Sequence, residues 1–499
     1  MYTEEQAAII AASREENVAV HADAGTGKTF TVGGISNEIG FPHLVVYFNT
    51  HAAKEAVEKL GSLAKPTTLH SLFLNITRRA GIHSDIKVDT KKQSNIIKDL
   101  FAANYSGMAP DDVYEDTCGF ISAMGAGCIM PESFEAQGIN ALKYISMSDC
   151  TEEFMSDWPS ANVDIAFAYW DAAFESLTKD GAISYDEMLC APVWFNVQPD
   201  TMRDPRNYKN TIKVPKTVIV DEAQDLSALN HYLLSLLTPT RFHMLGDPNQ
   251  AIYGWRGADY NSFDNLSTQF ACRNMPMTIN FRCSRAVVEH ARTIVPTIRA
   301  HDGAPEGSVT YGEIDIDNFR VGDVILCRNN APLVKLALKT LKRKGRVVAM
   351  NKGSDTAAFG YEIKRRWQKL RGKTMAEREA SLDAWYNRRA AKISEARASQ
   401  LDDIYECVKA IIRFNANPSA VDQMFGIDVA SKNKPARDVV LSTGHRAKGR
   451  EWNKVGIICP ELIGHNTRTP QEEQQERNLR YVMYTRAKHD LIIEADNEE

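Results

Sequence analysis

Apolar residues in this chain fall into short unbroken runs separated by stretches with helical spacing. Residues 18–20, 43–48, 217–220 and 241–245 are mostly apolar runs of three to six residues, the first three rich in Val, with Arg241 and His243 interrupting the last. That length and content suit strands covered on both faces. Residues 3–12 and 51–60 carry the spacing of helices, and strands alternating with helices predict a parallel sheet with helices on both sides. Residues 74–214 break the alternation. Segments 91–101 and 166–177 are helix-spaced and no run of strands intervenes, so a helical insertion is expected there. A second α/β set resumes near Met277, with candidate strands at 324–327, 346–349, 439–442, 455–458 and 491–493. A helical stretch at 361–414 interrupts it, where Ile363, Trp367 and Leu370, then Ile404, Val408 and Ile411, recur at i, i+4, i+7.

Composition narrows the class. A chain of 499 residues exceeds one hydrophobic core, so two to four domains are expected. No apolar run approaches membrane-spanning length, and the acidic start Tyr2-Thr3-Glu4-Glu5 lacks the basic opening of a signal peptide. A soluble, cytoplasmic protein with no membrane partner is therefore expected. Nine cysteines without a Cys-x-x-Cys pair argue for reduced, mostly buried thiols and against a disulfide frame or zinc site. The net charge of −5 does not advertise a polyanion ligand, but a binding channel needs only local positive charge. Residues 361–399 hold eleven Lys/Arg against five Asp/Glu, which suits either a duplex- or partner-facing surface or a solvated helix face.

The candidate chemistry begins where the first strand ends. Ala22-Asp23-Ala24-Gly25-Thr26-Gly27-Lys28-Thr29 has the Ala-x4-Gly-Lys-Thr spacing of a phosphate loop. A strand, a small-residue loop and a helix start turn backbone N–H groups towards an anion. Lys28 would reach the β/γ-phosphates, and the Thr29 hydroxyl would sit on Mg²⁺. Asp221-Glu222 closes another strand, where open α/β sheets bind ligands; one carboxylate can hold Mg²⁺ and the next can polarise a water. An acidic turn before a helix would look the same in isolation. Asp247 and Gln250 follow a third strand, and Tyr253, Trp255 and Arg256 offer two π-faces and a guanidinium to bases, with Tyr253 also able to serve as core.

Taken in order, Gln6, Ala22–Thr29, Phe48-Asn49, Thr68-Leu69-His70, Asp221–Gln224, Gly246–Ala258, Asn280-Phe281-Arg282, Thr443–Glu451 and Tyr481–Ala487 make the chain resemble superfamily 1 DNA helicases of the UvrD/Rep/PcrA group. The resemblance implies an α/β fold of two RecA-like parallel-sheet domains of P-loop NTPase type with helical insertions. Residues 1–73 and 215–276 would form the ATP-binding domain and 74–214 its insertion. Residues 277–360 and 437–499 would form the second domain, with 361–436 a short insertion in place of the larger accessory domain of such enzymes. ATP and Mg²⁺ are the implied cofactors. Gln6 would recognise adenine; Lys28, Thr29, Asp221, Glu222, Gln250, Arg282 and Arg486 would surround the triphosphate, with Glu222 as base and Glu451 near the ribose. Phe48, His70, Tyr253, Trp255, Arg256 and His445 match positions resembling single-strand contacts.

Three residues depart from the group's pattern. Phe30 stands where an arginine is common near the base, Phe281 where a tyrosine is, and Arg450 where a leucine packs beside Lys448 and Glu451. The implied function is ATP-dependent translocation on single-stranded DNA and unwinding from single/double-strand junctions, 3′-to-5′, with a monomer favoured and a protein partner supplying regulation that the short insertion lacks. An RNA or RNA:DNA helicase, or an ATP-switched DNA-binding protein with little unwinding, fits the same residues.

Overall fold

The structure, a computed structural model, describes residues 2–106, 109–150, 157–197, 199, 203–204, 207–211, 214–254, 258–344, 349–350, 354–392, 395–416, 418–425, 439–465 and 467–495. The chain divides into two compact units, one of residues 1–22 with 27–277 and one of residues 23–26 with 278–499. Each is built on a parallel sheet, as expected of two RecA-like domains.

In the first unit, strands β1 (Val18–Ala22), β2 (His43–Tyr47), β3 (Ala64–Thr68), β4 (Thr217–Val220), β5 (Arg241–Gly246) and β6 (Arg273–Met277) lie in the order β6-β1-β5-β4-β2-β3. Every pair is parallel. The four inner strands are the apolar runs of the sequence, and β2 and β4 are buried at every position. The two edges, β3 and β6, were not anticipated. Each contains a proline, Pro66 or Pro276, which cannot donate to a ladder and so belongs at an edge, and neither edge forms an apolar run. Helix α1 (Glu4–Ala12) opens on a capping box between Thr3 and Gln6, and α3 (Thr50–Lys59) and α4 (Leu69–Arg79) open on Asn49 and Thr68. Between Lys28 and Ile39 runs α2.

The insertion is largely helical, with Lys92–Asn104, Asp111–Gly127, Val163–Asp180 and Glu187–Trp194 as its main helices. Short strand pairs, such as Lys87–Val88 with Ala182–Ile183, add to what the helical period predicted. Its aromatic centre, Phe134, Trp170 and Trp194, lies in one apolar cluster with Val46, Val220 and Met244 of the sheet. The insertion therefore shares its core with the strands beneath it.

The second unit has β7 (Ser308–Tyr311), β8 (Asp323–Cys327), β9 (Ala349–Met350), β10 (Val439–Thr443), β11 (Trp452–Ile457) and β12 (Ala487–Ile493), in the order β7-β12-β11-β8-β10-β9, all parallel. Of the strand expected at 346–349, only Ala349 lies within the described residues. Helices Ser354–Gln368, Met375–Ala390 and Glu395–Arg413 form its insertion. Here the basic stretch is partly internal. Arg366 is buried with its guanidinium 4.0 Å from the Trp385 ring, Arg389 is buried, and Lys364 pairs with Asp422 at 2.8 Å. Residues 361–399 are therefore not one free basic face. Among the described residues, no helix is long and apolar enough to cross a membrane.

One buried group on β5 tunes stability. His243 is fully buried and neither ring nitrogen has a partner. Burial, with Arg241 and His43 adding to it, lowers its pKa to about 4. The folded state then binds fewer protons than the unfolded state between pH 6.5 and 4, so stability is full above that window and declines as pH falls through it. His243→Leu is expected to lose roughly 2–3 kcal/mol less stability than wild type between pH 7 and pH 4.5, as read by urea unfolding at each pH.

Candidate functional site

The sheet order of the first unit fixes the site. Strands β1, β5 and β4 are neighbours, so their carboxyl ends bring the phosphate loop, Asp247 and the Asp221-Glu222 pair side by side. At the loop, Gly25 and Gly27 have φ of 71° and 83°, a left-handed backbone that suits glycine. Gly27 is the N-cap of α2 and offers no side chain to its first N–H groups, which leaves an anion-binding helix start. Lys28 opens the helix, and its Nζ lies 3.0 Å from Glu222 Oε2. Burial alone would lower the Lys28 pKa, but the carboxylates of Glu222, Asp221 and Asp247 outweigh it and raise it.

Asp221 is buried, and burial with the adjacent Glu222 pushes its pKa up to about 7 against the opposing pull of Lys28. Burial likewise raises Asp247, which accepts from Gln250 Nε2 at 2.6 Å. Glu222 sits at φ 55°, an uncommon conformation for a side-chain-bearing residue, and this turns it off the strand line. Gln224, to which sequence reading gave no role, links the Glu222 carboxylate to the Asp247 backbone: its Nε2 donates to Glu222 at 2.8 Å and its Oε1 accepts from the Asp247 N–H at 3.0 Å. Three carboxylates around one ammonium are short of positive charge, and Thr29 stands exposed beside them. That donor set fits a divalent cation carried by a triphosphate. Gln6 is buried, accepts the Thr3 N–H at 3.1 Å, and keeps its amide nitrogen against Gly27. Phe30 is exposed, with Tyr2 tilted against it at 4.8 Å.

Aromatic residues gather elsewhere on the first unit. Phe48 is exposed at the end of β2 and lies parallel to Tyr253, centroids 6.0 Å apart and planes at 5°. His70, at the start of α4, stacks on Tyr185 at 4.0 Å. Burial lowers the His70 pKa to about 4, so this ring is neutral at neutral pH. Tyr185 is exposed and was missed, because a lone Tyr after a two-residue strand carries no periodic signal. Trp255 and Arg256 lie outside the described residues.

A second set belongs to the second unit. Arg282 Nε donates to Glu451 Oε2 at 2.6 Å, and Lys488 Nζ lies 2.6 Å from the other Glu451 oxygen. Burial raises the Glu451 pKa, but Lys488 and Arg282 outweigh it and hold it low. Asn280 orients this group: its Oδ1 accepts the N–H of Arg282 at 2.9 Å and its Nδ2 donates to Ala24 O, at the loop tip grouped with this unit, at 2.6 Å. Thr26, also in that tip, is buried and bonds Asp23 O through its hydroxyl. Phe281 is exposed and stacks on His301. Arg486 is buried, its guanidinium donating to the carbonyls of Val482 at 2.8 Å and Arg450 at 3.2 Å. Arg450 is exposed. Half-buried His445 lies on the turn Gly444–Ala447, where a Cβ at Gly444 would fall 2.6 Å from Met483 sulfur.

Two helicase domain models match the chain. Residues 2–271 match the UvrD/REP helicase N-terminal domain, and residues 438–493 match the UvrD-like helicase C-terminal domain. The chain is 25% identical over 179 residues to ATP-dependent DNA helicase Rep of Buchnera aphidicola, covering 35% of this chain and 25% of that protein. It is 24% identical over 322 residues to ATP-dependent DNA helicase PcrA of Staphylococcus aureus, covering 59% of this chain and 40% of that one. The chain thus spans well under half the length of these relatives. Lys28→Ala would leave Asp221, Glu222 and Asp247 uncompensated, and is expected to weaken binding of a magnesium–nucleoside triphosphate by about a hundredfold or more, measured by fluorescence titration. Near-normal binding would refute the assignment of the loop.

Proposed function

The chain belongs to the UvrD/REP helicase family, and from that premise we propose that it is an ATP-driven motor that moves along single-stranded DNA and unwinds duplexes. The observation that carries this reading is Lys28 held among Asp221, Glu222 and Asp247 at the ends of three neighbouring strands. Backbone N–H groups of Gly25 to Lys28 and the Lys28 ammonium would bind the phosphates, with Ala24, whose N–H donates to the Tyr481 hydroxyl at 3.0 Å, lining the loop; Gln6 and the exposed rings of Phe30 and Phe281 would lie around the base and Glu451 near the ribose. Thr29 and Asp221 would hold Mg²⁺, which when bound neutralises β- and γ-phosphate oxygens.

In the proposed reaction Glu222 accepts a proton from a water as its oxygen attacks the γ-phosphorus. The bond to the β-phosphate oxygen breaks, giving ADP and inorganic phosphate. Gln250 orients that water, and the Asp247 bond supports its placement. Arg282 and Arg486 of the second unit would neutralise charge developing on the transferring group, an effect worth about 10³–10⁵ in rate in other P-loop enzymes. Arg486 would exchange the Val482 and Arg450 carbonyls for phosphate oxygens. Hydrolysis would then depend on closure of the two units on the nucleotide, and this couples chemistry to movement. The parallel rings of Phe48 and Tyr253, the His70–Tyr185 stack, Trp255, Arg256 and His445 would hold bases in turn, each stack contributing ~1–3 kcal/mol regardless of sequence. Travel is proposed as 3′-to-5′.

Unwinding of matched 3′- and 5′-tailed DNA duplexes with ATP tests this reading. Strand separation from the 3′ tail alone is expected. Glu222→Gln is expected to bind ATP yet reduce turnover about a thousandfold or more and abolish unwinding. Unwinding by Glu222→Gln at wild-type rate, or none by the wild type on either tail, would contradict the motor.

A further inference from the structure

The insertion of the second unit shares its core with the sheet. Ile363, Leu382, Ile404, Val408 and Ile411 are buried in one cluster with Ile325 and Leu441. Apolar packing of this kind holds helices in place but does not aim a polar group. A chain of hydrogen bonds supplies that aim.

Asp403, on helix Glu395–Arg413, is buried. Its Oδ2 accepts the Asn330 N–H at 3.0 Å and the Asn330 side-chain Nδ2 at 2.7 Å, and its Oδ1 accepts the Ala331 N–H at 2.7 Å. The carboxylate thus satisfies N–H groups that helix Asn330–Lys344 leaves unpaired at its start. It also fixes the Asn330 amide, because with the nitrogen held on Asp403 the oxygen must face the other way. There Asn330 Oδ1 accepts from Arg446 Nη1 at 2.8 Å. Phe359, on the insertion's first helix, lies 5.6 Å from the same guanidinium. Two helices of the insertion therefore converge on Arg446, the neighbour of His445 on the turn Gly444–Ala447.

We propose that Asp403 is a positioning residue for strand binding, acting through Asn330 and Arg446 to fix the turn that carries His445. The inference rests on the reading of His445 as a strand contact. It assigns the insertion the role of a fixed brace on the second unit.

The test uses the full chain and measures ATP turnover against increasing single-stranded oligothymidylate, and without DNA. Asp403→Asn places an N–H against donors. It is expected to raise the DNA concentration for half-maximal stimulation about tenfold, while saturated and DNA-free turnover stay within about twofold of wild type. Arg446→Gln combined with Asp403→Asn is expected to be no worse than the weaker-binding single variant, since both break one chain. Phe359→Leu preserves apolar packing and serves should Asp403→Asn fail to fold; a rise of about two- to threefold with the same split is expected. Unchanged half-stimulation in the variants, equal losses with and without DNA, or additive losses in the double variant would overturn the proposal. A wild type that DNA does not stimulate would overturn the strand reading itself, and this inference with it.

Discussion

One ammonium group facing three carboxylates is the constraint on which the first unit depends. Lys28 cannot balance Asp221, Glu222 and Asp247 alone, and burial penalises every ionised group among them. The site therefore holds a standing electrostatic deficit. A triphosphate without a metal would deepen it, because it brings further negative charge towards Asp221 and Glu222. A triphosphate with a divalent cation relieves it. In the function proposed above, preference for a metal–nucleotide complex would follow from this charge balance.

The deficit exists because of the sheet. Strand order β1-β5-β4 places three loops at one edge, and parallel strands point all three the same way. Glu222 pays for its orientation with a left-handed backbone, which Gln224 helps to hold by bridging it to Asp247. The second unit has the opposite balance: Arg282 and Lys488 flank the single carboxylate Glu451. Glu451 holds the Arg282 guanidinium, Asn280 accepts the Arg282 backbone N–H, and the carbonyls of Val482 and Arg450 hold the guanidinium of Arg486.

Much of this was legible in the residues. The inner strands announced themselves as apolar runs, and the loop, Asp221-Glu222 and Gln250 were found by spacing at strand ends. The edges β3 and β6 were not, because an edge strand has one fewer neighbour and these two carry polar residues and a proline in place of an apolar run. Tyr185 and Gln224 were missed for a different reason: only their neighbours in space distinguish them, His70 for one, the Glu222 carboxylate and the Asp247 N–H for the other. Nor can the burial of Arg366 and Arg389, within the positive stretch 361–399, be read from a count of charges. Asp403 likewise stands on a helix face with no motif around it; only its bonds to Asn330 distinguish it.

The electrostatic deficit at Lys28 can be measured through nucleotide binding. Its most direct measurement is the affinity of wild type and Asp221→Asn for a fluorescent non-hydrolysable ATP analogue, each with Mg²⁺ and with chelator. Mg²⁺ is expected to tighten binding to wild type at least about tenfold, and Asp221→Asn to lose most of this gain while binding the metal-free analogue better than wild type does. Equal affinity of the wild type for the analogue with and without metal would contradict the deficit.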